Sequence, residues 1–208
     1  EFTRRTHEEQ RYDFVLSSPH LAYLANNVAN YDPLVRADAE PLRAVVVVRM
    51  TSDLRVAADL AKRKLAIPDE LSIVTVLTRA ALAREHIGFR RNVDVVLTPT
   101  VNAAFQLLLN SRVDAAAVSS SFLRAQLLPN VRDQIRVIVE SDEVPQMTIS
   151  VAPWVSQTLR DQVRRVLLTM HENVQGGIVL RKMSFSGFIP AESKDYVSMR
   201  HVMRYLEY

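Results

Sequence analysis

The residues in this sequence best suited to chemistry are hydroxyl and amide side chains placed where apolar, strand-like runs hand over to helix-like ones. Ser18 and His20 follow Phe14-Val15-Leu16, Thr98, Thr100 and Asn102 follow residues 93–97, and Ser119, Ser120 and Ser121 follow residues 113–118. At such a junction a side-chain oxygen and the first backbone N–H groups of a helix converge on whatever is seated there, which is the chemistry of holding a small polar ligand. Each of these residues also has an ordinary alternative, because serine, threonine and asparagine cap helices without any ligand. Asp114 reads as structural. Trp154 and Tyr23 offer stacking faces, but a single aromatic beside an amphipathic helix ordinarily belongs to a core.

Bond-making chemistry has little to stand on. The five histidines, His7, His20, His86, His171 and His201, show no His-x-x-x-His spacing and no acid placed to complete a metal site. Cysteine is absent, which removes thiolate ligands, thiol nucleophiles and disulfides together. Four glycines leave no Gly-rich phosphate loop, and no Gly-x-Ser-x-Gly elbow occurs. We therefore expect no metal, no cofactor and no catalytic residue; an enzymatic reading would have only His20 as a base in a cleft.

Composition sets the outer limits. With 208 residues, 48% apolar and 24% charged, the chain can fold with a sizeable core as one large domain or two small lobes. The formal charge of +3 comes from cations spread among nearly as many acids, so no basic stripe for nucleic acid forms. No run of 18 apolar residues exists to span a membrane.

The elements that must position the hydroxyls alternate between strand and helix. Residues 1–10 read as a short helix, 12–16 as a strand, 21–30 as a helix broken at Tyr31-Asp32-Pro33, and 43–49 as a β-branched strand buried on both faces. Beyond it come a helical turn at 56–60, strands at 64–67, 93–97, 113–118, 135–139 and 148–151, and helices at 75–86 and 100–110. Gly88 is expected to provide a left-handed cap. Ser156 should cap a helix whose Leu159, Val163, Val166, Leu167 and Met170 share one face. Gly176-Gly177 and Gly187 read as punctuation, and Ser193 as the cap of a last helix. Such alternation predicts an α/β fold with parallel-rich sheets, helices on both faces, and ligands at the carboxyl ends of strands.

Several phrases together resemble the phosphate/phosphonate-type substrate-binding proteins of ABC transporters, with the type II periplasmic binding-protein fold. They are Arg11-Tyr12-Asp13-Phe14 leading to Ser18-Pro19-His20, the strand 45–49, Ser111-Arg112-Val113-Asp114-Ala115-Ala116-Ala117-Val118, Ser141 with Pro145, and Gly187-Phe188 before Asp195-Tyr196. The resemblance implies two three-layer αβα lobes joined by a two-strand hinge. Lobe 1 would hold residues 1–51 with 140–208 and lobe 2 residues 52–139, the opening strands of lobe 1 lying outside this sequence. It further implies a periplasmic or extracytoplasmic protein that captures a small-molecule ligand by hinge closure and serves an ABC permease.

The family's anion turn departs from the pattern here. Where phosphonate binders carry a serine-threonine-serine-glycine turn this chain reads Ser72-Ile73-Val74-Thr75, and Thr100-Val101, next to Asn102, stands in place of a serine-histidine pair. Met147 replaces an acid after Ser141. Each lost hydrogen bond to a buried anion costs roughly 1–3 kcal/mol, so the expected ligand is less charged than a phosphonate. By the resemblance, Ser72, Thr75 and Ser141 join Ser18, His20, Thr98, Thr100, Asn102, Ser119 and Ser120 as expected ligand contacts, and Thr78 lies on the same turn. Three further readings stay open: the ligand-sensing domain of a membrane signalling protein, with a signalling module in the same chain, the effector domain of a transcription regulator, and an enzyme on the same fold.

Overall fold

In the computed structural model, residues 12–126 and 133–206 are described here; the short helix expected at residues 1–10 lies outside them. The chain forms two units, Glu1–Pro41 with Val144–His201, and Leu42–Glu143 with Val202–Tyr208, and each is built on its own sheet.

Unit 1 contains β1 (Phe14–Ser17), α1 (Pro19–Ala29) and β2 (Asp32–Asp38) before the chain leaves it. After the return come β8 (Thr148–Val151), α5 (Gln157–Leu168), a 3-10 turn at Met170–Glu172, α6 (Val174–Lys182), β9 (Gly187–Pro190), a 3-10 turn at Ser193–Tyr196 and α7 (Met199–Met203). Its four strands run in the order β1-β8-β2-β9, and every neighbouring pair is antiparallel.

Unit 2 holds β3 (Ala44–Arg49), a 3-10 turn at Ala57–Leu60, β4 (Lys64–Ile67), α2 (Ile73–Arg84), β5 (Asp94–Leu97), α3 (Val101–Leu109), β6 (Ala115–Ser119), α4 (Ser120–Gln126) and β7 (Ile135–Glu140), closed by a 3-10 turn at Arg204–Leu206. The sheet order is β5-β4-β6-β3-β7, with β4 parallel to β5 and β6, and β3 antiparallel to β6 and β7.

As the β-branched run predicts, Ala44 to Val48 are buried on both faces of the second sheet. Val45 and Val47 join Ala66, Ala116 and Val118 under Phe105 and Leu108 of α3, while α2 contacts β3 and β6. Burying each valine side chain contributes roughly 1.5–3 kcal/mol, so this strand anchors the unit. It pairs here and not in the first sheet, so the chain passes between units after Pro41, whereas sequence reasoning carried the first lobe to residue 51. Val202–Tyr208 likewise group with unit 2.

Several local expectations give way. The parallel-rich arrangement survives only in part of the second sheet, because alternation of strand and helix does not specify which strands become neighbours. Residues 32–38 continue from the Tyr31-Asp32-Pro33 break into a strand, where Pro33 sits beside a register shift opposite β8 that tolerates its missing N–H. Helix α2 ends at Glu85 with His86 in the left-handed conformation, φ 59°, so Gly88 is not the cap; its amide instead donates to Asn92 Oδ1 at 2.8 Å.

Gly176-Gly177 lies inside α6 rather than in a turn, because Asn173 Oδ1 caps that helix by accepting from the Gln175 and Gly176 amides. Gly187 opens β9. The 3-10 turn at Ser193–Tyr196 is preceded by Glu192, whose amide donates to Asp195 Oδ2 at 2.9 Å, so Ser193 is not its cap. Ser156 does cap α5, accepting from Leu159 N at 3.4 Å, and Val163 and Leu167 pack on the core of unit 1, but Leu159 and Val166 remain exposed.

Candidate functional site

Unit 2 gathers most of the expected contacts at one end of its sheet. Because β4, β5 and β6 are parallel neighbours, their carboxyl ends lie on the same edge, and the residues following each strand come together there: Ser72 and Thr75 after β4, Thr98, Thr100 and Asn102 after β5, Ser119 and Ser120 at the end of β6. Ser141 joins them, since β7 ends beside the start of β3, where Ala44 stands opposite Ser119. Ser18 and His20 belong to unit 1, at the carboxyl end of β1.

The hydrogen bonds sort these groups by what they can still offer. Thr75, fully buried, directs its hydroxyl to the Pro68 and Asp69 carbonyls at 3.1 and 3.0 Å, and Thr78 directs its own to Val74 at 2.7 Å. Thr98 donates to Ile67 O and Thr100 O at 2.9 and 3.0 Å. Ser141 Oγ donates to Asp142 O at 2.8 Å and accepts from Ala44 N at 2.9 Å. A hydroxyl has one proton, so these four have spent theirs on the backbone.

Ser72 and Thr100 differ. Each uses its oxygen only as an acceptor for a cap, from Val74 N at 3.3 Å and Ala103 N at 3.0 Å, and keeps its proton to give. Asn102, in the first turn of α3, makes no side-chain hydrogen bond within the described residues. Ser119 Oγ accepts from Phe122 N and shares a 3.1 Å contact with Ser121 Oγ. Ser18 precedes α1 without a side-chain capping bond, and His20 is buried at 2% exposure.

The same edge carries Arg43, held by Glu140 and Glu143 at 2.6 Å each; its hydrogen bond to Glu140 first, and that to Glu143 second, push its pKa above the ordinary arginine value. Among the described residues no group of histidines and acids is arranged to hold a metal ion, and no helix is long and apolar enough to cross a membrane. Asp114 is structural, as expected, its Oδ2 accepting from Lys64 N at 2.8 Å. Trp154 is 43% exposed and meets Tyr31 edge to face at 5.7 Å, with Nε1 donating to Asp13.

Sequence reasoning passed over a polar face inside unit 1 formed by Ser17, Arg36, Thr148, Ser150 and Tyr196. The alternation Thr148-Ile149-Ser150-Val151 was a legible signal for a strand with one polar side.

Comparison with known proteins follows the same lines. No curated protein resembles the chain closely enough to count as a sequence relative. Its fold matches a Xanthomonas citri protein bound to ATP (TM-score 0.83, 16% identity, 100% of this chain and 85% of that one). It also matches a Prochlorococcus marinus protein in complex with methylphosphonate (0.81, 15%, 99% and 81%) and the binding protein component of an ABC phosphonate transporter from Pseudomonas aeruginosa (0.79, 14%, 97% and 70%). The family model for the phosphonate periplasmic substrate-binding protein of ABC transporters matches residues 3–196, so the chain, a mixed α/β protein with the type II periplasmic binding-protein fold, belongs to that family of solute-binding receptors.

Proposed function

We propose that this receptor takes a small polar solute at the carboxyl edge of the unit 2 sheet, through Ser72, Thr100 and Asn102, and delivers it to an ABC permease. The observation that carries this reading is the distribution of hydroxyl protons: Thr75, Thr98 and Ser141 have given theirs to backbone carbonyls, while Ser72 and Thr100 have not, and both stand at helix N-termini whose N–H groups favour an electron-rich partner. Arg43 is already paired with two glutamates, so this edge offers hydrogen bonds more than charge. Capture by closure of two units belongs to the proposal, the chain passing between them after Pro41, Glu143 and His201.

The test is a thermal-shift screen of small polar metabolites. A ligand present at about 100 times its Kd should stabilise the protein by roughly 2.7 kcal/mol. Thr100→Val and Asn102→Ala should reduce that shift, and Thr98→Val should leave it in place. A cooperatively unfolding protein that responds to no member of the screen would rule the reading out.

A further inference from the structure

The sheet of unit 1 has two unlike faces. On one, Val35, Ala37, Val151 and Phe188 enter an apolar core with Leu180 of α6. On the other, Ser17 stands opposite Thr148 and Thr148 opposite Arg36, so the three lie in one row across β1, β8 and β2; Ser150, paired with Val15, follows on the same side of β8. Side chains directly opposite on neighbouring antiparallel strands have Cβ atoms about 4.5–5.5 Å apart, which makes this row a contiguous polar patch.

The patch is buried and its hydrogen bonds are incomplete. Thr148, Ser150 and Ser17 are 0, 1 and 5% exposed. Ser17 Oγ, Ser150 Oγ and Arg36 Nε have no hydrogen-bond partner among the described residues, nor does Arg36 have a carboxylate within ion-pair distance there. Thr148 Oγ1 donates to the Gln146 carbonyl at 3.2 Å and lies 2.6 Å from the Tyr196 hydroxyl, from which it can accept. The Arg36 charge is near enough to act on the Tyr196 hydroxyl, whose pKa is raised first by burial and drawn back down by its bond to Thr148 and by that charge.

Buried polar atoms left unpaired cost about 1–3 kcal/mol each and are uncommon in native proteins. A single group of the right chemistry would satisfy all three. The Nε edge of a guanidinium presents two parallel N–H donors, which match two coplanar oxygens, and the serine hydroxyls add donors beside it. Thr148 spends its proton on the Gln146 carbonyl and Tyr196 can spend its own on Thr148, so little remains to hold a third oxygen. A planar carboxylate fits this set better than a tetrahedral phosphonate.

We propose that Ser17, Arg36 and Ser150, braced by the Thr148–Tyr196 pair, form a subsite in unit 1 for a carboxylate group. The inference rests on the solute-receptor reading and narrows its ligands to carboxylic acids, whose single charge agrees with a ligand less charged than a phosphonate.

The experiment is calorimetric titration of the full chain with acetate, succinate, acetamide, methanesulfonate and methylphosphonate, repeated on Arg36→Gln, Arg36→Lys and the double variant Ser17→Ala/Ser150→Ala. The expected result is binding of acetate or succinate and not of acetamide, weakened about tenfold or more by Arg36→Gln, less by Arg36→Lys, and measurably by the serine variant. Should Arg36→Gln fail to fold, Arg36→Lys and the serine variant carry the test. Carboxylate affinity unchanged in the variants, or preference for methylphosphonate, would overturn the subsite. A neutral solute bound equally by wild type and Arg36→Gln would keep the receptor reading and remove the subsite; no ligand at all for the wild type, in this panel or the metabolite screen, would remove both.

Discussion

Thr98 Oγ1 lies 2.9 Å from the Ile67 carbonyl, and its backbone amide reaches the same oxygen at 2.8 Å, so one residue ties the end of β5 to the end of β4 twice. Thr98→Val keeps the side chain's shape and removes the proton, leaving a buried carbonyl with one bond fewer. The expected loss is about 1–2 kcal/mol in a urea titration, with ligand affinity unchanged. A fall in affinity with stability intact would instead place Thr98 against the ligand.

The two glycines inside α6 should respond in opposite directions. At Gly177 an added Cβ would come no nearer than 3.4 Å to Arg181 Nη1, so Gly177→Ala should stabilise by about 0.5–1 kcal/mol through helix propensity. At Gly176 the same atom would lie 2.1 Å from the Met170 carbonyl oxygen and 2.8 Å from Met170 Cγ. Relieving that overlap requires the Met170–Glu172 turn to move, and Gly176→Ala should destabilise by roughly 1–3 kcal/mol despite the better propensity. Paired thermal denaturation of the two variants decides it, and two shifts of the same sign would contradict the packing described.

How much of this was legible in the sequence depends on the kind of signal. The run Ala44-Val45-Val46-Val47-Val48 identified a doubly buried strand without context, because no other element accommodates so many β-branched residues in succession. The hydroxyls after residues 67, 97 and 118 were also readable, since strand-to-helix junctions have a composition of their own. Which hydroxyls had donated their protons was not, as Thr98 and Thr100 differ only in the carbonyls or amides that tertiary structure brings to them. Arg36 escaped notice for a related reason: its neighbours Thr148 and Tyr196 lie more than a hundred residues away along the chain, and only strand pairing puts them on one face.

Acid should weaken one local device in unit 2. The Asp59 carboxylate accepts from the Arg55 amide at 2.7 Å and the Val56 amide at 3.1 Å, which lowers its pKa below the ordinary aspartate value, the Arg55 bond being the larger cause. A carboxyl with a lowered folded pKa binds fewer protons folded than unfolded, so its contribution is present above the ordinary value of about 4 and disappears as pH falls through the folded one. Asp59→Asn should show a smaller loss of stability than wild type on acidification through that window, measured as denaturation midpoints from neutral pH downward.

Base should act through Tyr196. Burial is the main cause that holds its hydroxyl above the ordinary tyrosine value, outweighing the Thr148 bond and the Arg36 charge that lower it. With the folded pKa raised, the folded protein keeps a proton that the unfolded chain releases above about pH 10. Stability contributed by Tyr196 is thus complete below that point and is lost as pH rises through the folded value. Tyr196→Phe should cost about 0.5–1.5 kcal/mol at neutral pH by leaving Thr148 Oγ1 only its 3.2 Å bond to the Gln146 carbonyl, yet decline less steeply than wild type as pH rises above about 10; some decline should persist because Tyr31 is also raised, burial again leading. Adding Thr148→Val in the same chain removes both ends of that bond but also the donor to the Gln146 carbonyl, so it should recover only a small part of the neutral-pH loss. Denaturant midpoints measured across that pH range on the single and double variants test both halves, and parallel pH profiles for wild type and Tyr196→Phe would refute the assignment.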